Sequence, residues 1–172
     1  MKIYLAGPDV FRPDAQTHGE RLKALCARHG FEGLFPLDAT LPREAGAEAA
    51  RSIYRANIAL IREADLVMAN LTPFRGQEPD SGTAFEVGFA AACGKPVWAY
   101  VEDDRSLAQR LGTSRGLDGE PLDDRGYRVE DFGLPLNLML ACSATVVHGG
   151  PQACLRSIAA AHSSASSFPE FP

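Results

Sequence analysis

The chain has 172 residues, 45% of them hydrophobic, which is enough for one full core and favours a single domain over two. Its formal charge of −5, with no local cluster of lysine and arginine to offset it, argues against a phosphate backbone as partner and leaves small molecules as the expected ligands.

Residues 2–6 (KIYLA) predict a buried strand ended by Gly7 and Pro8. That apolar run is too short for a secretion signal or a membrane span, so a cytoplasmic protein with no membrane partner is expected. Residues 14–29 predict an amphipathic helix with Leu22, Leu25 and Cys26 inward, followed by a strand at 31–35. A proline-containing loop leads to a helix over 47–64. The run DLVMANL at 65–71 then has the continuous apolar character of a central parallel strand.

A helix over 82–94, expected to be buried on nearly every face, precedes a strand at 95–101 and a helix near 105–111. The polar segment from Gly112 to Asp131 is long for a compact domain and reads equally as a lid or binding loop and as a disordered insert. FGLPLNLML (132–140) predicts an apolar helix, ATVVH (144–148) a last strand, and 151–163 a closing helix. One domain is therefore expected over 1–163, with 164–172 a loosely held tail.

Strand and helix alternating in this way predict an α/β fold: a single doubly wound, parallel, five-stranded sheet in the flavodoxin-like order 2-1-3-4-5. Ligands of such sheets bind beyond the carboxyl ends of the strands where the order reverses, here at the loops AGPDVF and TPFRGQEPDSG. Neither loop carries GxGxxG, no GxxxxGK[ST] or GxSxG occurs, and Cys26, Cys93, Cys142 and Cys154 are widely spaced and read as reduced core thiols. No cofactor and no metal is expected.

Glu86 is the one charge between Thr83 and Gly94. The spacing Thr83-x-x-Glu86 fits a capping box, in which the carboxylate turns back on the helix start. Yet Glu86 shares a helical face with Phe89, Ala90 and Cys93, which makes it a desolvated carboxylate in the first turn, kept ionised by the helix dipole and poised as a nucleophile. Asp80 is either a turn residue or the second carboxyl of a retaining pair. Asn57, on a stripe with Ile53, Leu60, Ile61 and Ala64, must find partners for a buried amide, in a neighbouring loop or in a bound sugar or base. Asn137 poses the same choice. Tyr4 is a strand residue whose hydroxyl needs a partner, with Glu86 in plausible reach. Phe11 reads as core or site, and Asp38 as a turn cap or a ligand contact.

The stretches KIYLAGPDVF, FPLD, NLTPFRGQEPDSGTAFEVGFA and FGLPLNLML together resemble the nucleoside 2-deoxyribosyltransferases over most of the chain, the tail and the 112–128 loop excepted. The resemblance implies that Glu86 attacks the anomeric carbon of a 2′-deoxynucleoside and that a free nucleobase captures the deoxyribosyl ester with configuration retained. It implies that Tyr4 hydrogen-bonds the nucleophile, that Phe11 lies against the base, and that Asp80 holds the 5′-hydroxyl or helps move a proton. The implied binding set is Gly7, Phe11, Asp38, Asn57, Gly82, Asn137 and Met139. Asn137 and Met139 come from a neighbouring subunit, hence a homodimer or dimer-built oligomer with shared active sites. Some members carry aspartate where this chain has Asn57, and an amide cannot protonate the leaving base; that role then passes to Asp80, Asp38 or a bound water. The alternatives are a related N-glycosidase acting on 2′-deoxynucleosides or their 5′-monophosphates, and a non-catalytic nucleotide-binding module.

Overall fold

A computed structural model describes residues 1–38, 46–112 and 114–165. Five parallel strands form the main sheet: β1 (Lys2–Ala6), β2 (Glu32–Leu34), β3 (Leu66–Asn70), β4 (Val97–Val101) and β5 (Thr145–His148). Their spatial order is β2-β1-β3-β4-β5, the expected 2-1-3-4-5. The helices are α1 (Ala15–Arg28), α2 (Ala47–Glu63), α3 (Ser81–Ala92), α4 (Leu107–Leu111), α5 (Leu138–Ser143) and α6 (Pro151–Ala165).

Successive side chains of a strand point to opposite faces, and this alternation divides the core in two. Ile3, Leu5, Leu66 and Met68 pack with Leu22, Cys26, Leu155 and Ile158 of α1 and α6. Tyr4, Ala6, Val67 and Ala69 pack on the other side with Ile61 of α2 and Val87 and Ala90 of α3. Tyr4 pairs in register with Val67 of β3, so its phenol points into the layer that carries α2 and α3. That placement decides what it can meet.

On the opposite face α1 lies close over the end of β2. A Cβ at Gly19 would stand 2.4 and 2.6 Å from ring carbons of Phe35, which is itself 2% exposed. Gly19→Ala is expected to destabilise the fold by about 1–2 kcal/mol net, because overpacking outweighs the better helix propensity of alanine. Urea denaturation followed by circular dichroism reads this directly, and an unchanged midpoint would show that Phe35 yields freely.

Several expectations change. The helix expected over 132–140 forms only at Leu138–Ser143. Pro135 has no N–H to give and disfavours a helical Leu134, and the Asn137 side chain caps the late start by accepting from Met139 N. The 112–131 segment holds a small antiparallel hairpin, Ser114–Arg115 against Pro121–Leu122. Helix α3 is buried along Thr83, Val87 and Ala90 alone, and Phe85 on its other side is 51% exposed. Cys26 and Cys154 are core thiols, with burial raising them to about 11 and about 12, whereas Cys93 and Cys142 are exposed. Helix α6 runs to Ala165, so the expected tail starts inside its last turn, and 166–172 lie outside the described residues. No helix among the described residues is long and apolar enough to cross a membrane.

Candidate active site

Helix α3 begins where the sheet order reverses, and its start is built around Asp80. The carboxylate oxygen Oδ2 of Asp80 accepts from both Thr83 N and Thr83 Oγ1, each at 2.9 Å. Asp80 is therefore the N-cap, and the capping box suggested by Thr83 and Glu86 does not form. Released from capping, Glu86 points inward: its Oε1 accepts from the Tyr4 hydroxyl at 2.7 Å and from Asn57 Nδ2 at 3.4 Å. Three elements, β1, α2 and α3, thus converge on one carboxylate. Asn57 Oδ1 is buried and has no hydrogen-bond partner among the described residues, an acceptor left over beside the carboxylate.

Glu86 opens into a cavity of about 290 Å3 lined by Gly7, Val10, Phe11, Pro36, Leu37, Ile53, Asn57, Asp80, Gly82, Thr83 and Glu86. The walls are chiefly apolar and include two carboxylates, Asp80 and Glu86, near enough for the charge of one to act on the other, an arrangement suited to hold a flat hydrophobic group against a polar reaction centre. Gly7 lets the first loop pass tightly, since a Cβ there would stand 2.8 Å from Asp9 Oδ2 and 2.9 Å from Asn70 Cβ. At the rim, Phe11 stacks on Phe74 with centroids 5.4 Å apart, and the Arg75 guanidinium lies over both rings. A roomier polar hollow of about 550 Å3 beside α4 and the hairpin is lined by Asp104, Ser106, Gln109, Arg115 and Asp131 among others, and it brings together no comparable pair of carboxylates under apolar walls.

The electrostatics differ from the sequence expectation in one respect. Glu86 is the sixth residue of α3, in its second turn, where the helix dipole has faded. Burial dominates and raises its pKa to about 7; the Tyr4 hydrogen bond opposes that rise, the Asp80 charge adds to it, and Asn57 opposes it more weakly. Burial and the charge of Glu86 hold the Tyr4 phenol firmly protonated, so it acts as a donor. The result is a carboxylate that is partly desolvated, ionisable near neutrality and fixed in aim by a phenol.

Of the ten residues singled out from sequence, Gly7, Phe11, Asn57, Asp80, Gly82 and Glu86 line this cavity, and Tyr4 is bonded to Glu86. Asp38 stands behind the wall, its carboxylate held by Phe35 N at 2.9 Å and Lys23 Nζ at 2.6 Å, while Pro36 and Leu37 beside it face the cavity. Asn137 lines a different hollow, with Glu78, Leu107 and Glu130, and Met139 is 72% exposed. Val10, Pro36, Leu37, Ile53 and Thr83 are lining residues that the sequence reading did not assign; Ile53, read as part of a buried stripe, is 39% exposed at the cavity wall. Among the described residues no group of three or more His, Cys, Asp or Glu side chains is placed to hold a metal ion.

A family model described as nucleoside 2-deoxyribosyltransferase matches residues 3–139. The solved structure of a 2-desoxiribosyltransferase from Leishmania mexicana superposes with a TM-score of 0.75 at 37% identity, covering 94% of this chain and 98% of that one. An uncharacterized protein of Schizosaccharomyces pombe is 35% identical over 117 residues, which are 66% of this chain and 56% of that protein, so the match spans little more than half of its length. A 2-deoxyribosyltransferase from Bacillus psychrosaccharolyticus, 18% identical with a TM-score of 0.58 over 92% of this chain and 90% of its own, shares the fold.

Proposed function

Because the chain belongs to the nucleoside 2-deoxyribosyltransferase family, we propose that it moves 2-deoxyribose from a 2′-deoxynucleoside to a free nucleobase by two successive displacements at Glu86. The observation that carries the reading is the Glu86 carboxylate itself, partly desolvated in the wall of a mostly apolar cavity with the Tyr4 hydroxyl on Oε1.

In the first step a Glu86 oxygen bonds to C1′ while the C1′–N bond breaks and its electron pair leaves with the base. In the second, a nitrogen of the incoming base bonds to C1′, the ester C–O bond breaks, and the carboxylate is restored with configuration retained. Without a 2′-hydroxyl the sugar reaches an oxocarbenium-like transition state more readily. The hydrogen bond of Tyr4 to Oε1 leaves the other carboxylate oxygen for attack. The amide of Asn57 has no acidic proton for the departing base, so a proton taken up from solvent reaches that base through a water or Asp80 in the first step, and the N–H proton of the incoming base leaves by the same way in the second.

The apolar walls at Val10, Phe11, Pro36, Leu37 and Ile53 suit a nucleobase, and Asp80 suits an uncharged 5′-hydroxyl, since a carboxylate repels a phosphate. Asn137 lies away from the cavity of its own chain, and the exposed apolar side chains Tyr54, Phe85 and Met139 offer a face for a second copy. A homodimer, or an assembly built from one, in which Asn137 and Met139 complete the partner's sugar pocket belongs to the same reading, as does a cytoplasmic role in nucleoside salvage.

The test is exchange. Incubated with deoxyinosine and adenine, the protein is expected to form deoxyadenosine and hypoxanthine, and withholding the acceptor should trap a deoxyribosyl adduct on Glu86. Hydrolysis without exchange, above all of a 5′-monophosphate donor, would move the reading to an N-glycosidase. Neither reaction would leave a binding module.

A further inference from the structure

The hairpin segment 114–130 ends on a contact that capping alone does not need. Asp123 Oδ1 gathers the backbone N–H groups of Arg125 and Tyr127, Arg128 pairs with Asp118 at 2.7 Å, and Val129 N donates to Pro121 O at 2.9 Å. These bonds fold the segment back on itself and deliver Glu130 to the start of α5. There both carboxylate oxygens are used: Oε1 accepts from Asn137 Nδ2 and Oε2 from Leu138 N, each at 2.8 Å.

Asn137 is already the N-cap of α5 through its Oδ1, which accepts from Met139 N at 3.0 Å. An N-cap needs only that oxygen. The added bond to Glu130 fixes the amide plane and assigns which end carries nitrogen. Among the described residues it leaves one N–H and one lone pair of Asn137 unused, the complement of a hydroxyl group, which both donates and accepts. Holding a side chain by both ends costs conformational freedom and is worthwhile where its orientation matters. Yet Asn137 does not line the Glu86 cavity of its own chain.

We propose that Glu130 is a positioning residue that aims Asn137 at the sugar of a substrate bound in the active site of a second copy of this chain, and that the 114–130 hairpin is the buttress that carries it there. The inference rests on the deoxyribosyl-transfer reading with shared sites. It assigns the insert a supporting task in the neighbouring site in place of a lid over its own.

Complementation decides it. Glu130→Ala and Glu86→Ala chains bearing different tags are co-expressed and the mixed dimer is isolated. Alone, Glu130→Ala is expected to lose about 10²-fold in kcat/KM, the size of effect that a small misplacement of a substrate-contacting group produces, and Glu86→Ala to be inactive. In the mixed dimer the intact Glu86 faces an Asn137 whose own Glu130 is present, so one site of two recovers and activity returns to about half of wild type. A mixed dimer no better than Glu130→Ala alone overturns the proposal, because Glu130 would then serve only its own chain. So does an active wild-type monomer by light scattering at assay concentration, which leaves the transfer reading standing. Wild-type protein without exchange activity removes that reading, and the inference with it. If Glu130→Ala does not fold, Glu130→Gln replaces it, since it keeps the volume but sets an amide donor against Leu138 N or Asn137 Nδ2.

Discussion

Glu86→Ala is expected to lose at least about four orders of magnitude in the rate of deoxyribosyl exchange, with the fold intact. Alanine offers no atom to bond to C1′, and the fallback of direct attack by one base on the nucleoside forfeits the covalent route. Stability moves the other way. The folded protein holds Glu86 at about 7 against an ordinary value of 4.5, so at pH 8 the ionised side chain costs about 3 kcal/mol of folding free energy. Between pH 4.5 and 7 the folded chain keeps a proton that the unfolded chain releases, and native stability therefore falls as pH rises through that window. Removing the carboxylate removes the penalty, offset in part by the cavity it leaves and the unpaired Tyr4 hydroxyl. The variant should melt at or above the wild-type temperature at pH 8 and lose this advantage near pH 4. A variant that still exchanges bases, or that unfolds at pH 8, would remove Glu86 from the centre of the mechanism.

That pairing of lost activity with kept stability is legible only in part from sequence. The strand positions of Tyr4 and Val67 follow from period-two alternation, and with the predicted strand order they set Tyr4 beside the layer that carries α3. What sequence does not decide is the cap. Asp80 and Thr83 stand three apart, as do Thr83 and Glu86, and each pair matches a capping pattern. The tertiary fold chooses Asp80, because β1 and α2 bring Tyr4 and Asn57 to Glu86 and give its carboxylate better partners than the helix start offers. With Asp80 and not Thr83 as the N-cap, Glu86 lies three residues further along the helix, which turns an expected dipole-stabilised anion into a carboxylate governed by desolvation.

The apolar runs mislead for a related reason. Composition tells that Phe85 and Phe132 are hydrophobic but not what covers them, and in the single chain they are 51% and 67% exposed. Likewise FGLPLNLML reads as helix by content, yet Pro135 and the cap at Asn137 confine helix to Leu138–Ser143. The cavity walls at Val10, Pro36, Leu37 and Ile53 come from three separate places in the chain and carry no polar mark, so only the folded arrangement unites them.

The second large effect expected concerns pH, and it separates Tyr4 as a tuner of the nucleophile from Tyr4 as mere packing. In the proposed displacement attack needs the Glu86 anion, so kcat/KM in the wild type should rise with pH through a single ionisation near 7 and level off above it. The Tyr4 hydroxyl stabilises that anion at 2.7 Å in a site shielded from water, and burial keeps the phenol itself from ionising. Tyr4→Phe keeps the ring in the core and deletes only the donor. A hydrogen bond to a charged group contributes about 1.5–3 kcal/mol, equivalent to about one to two pH units, so the acid limb should move to higher pH by that amount. At pH 6 the variant is then expected to fall about 10- to 100-fold below wild type, and by pH 9 most of the difference should close. A deficit of the same size at every pH would mean that the hydroxyl aims the carboxylate without tuning its charge, and a limb moved to lower pH would contradict the hydrogen bond itself. Asn57→Ala removes the weaker donor, 3.4 Å from the same oxygen, and should shift the limb in the same direction by less. The order of the two shifts therefore tests whether desolvation, opposed first by Tyr4 and then by Asn57, sets the working pH of this site.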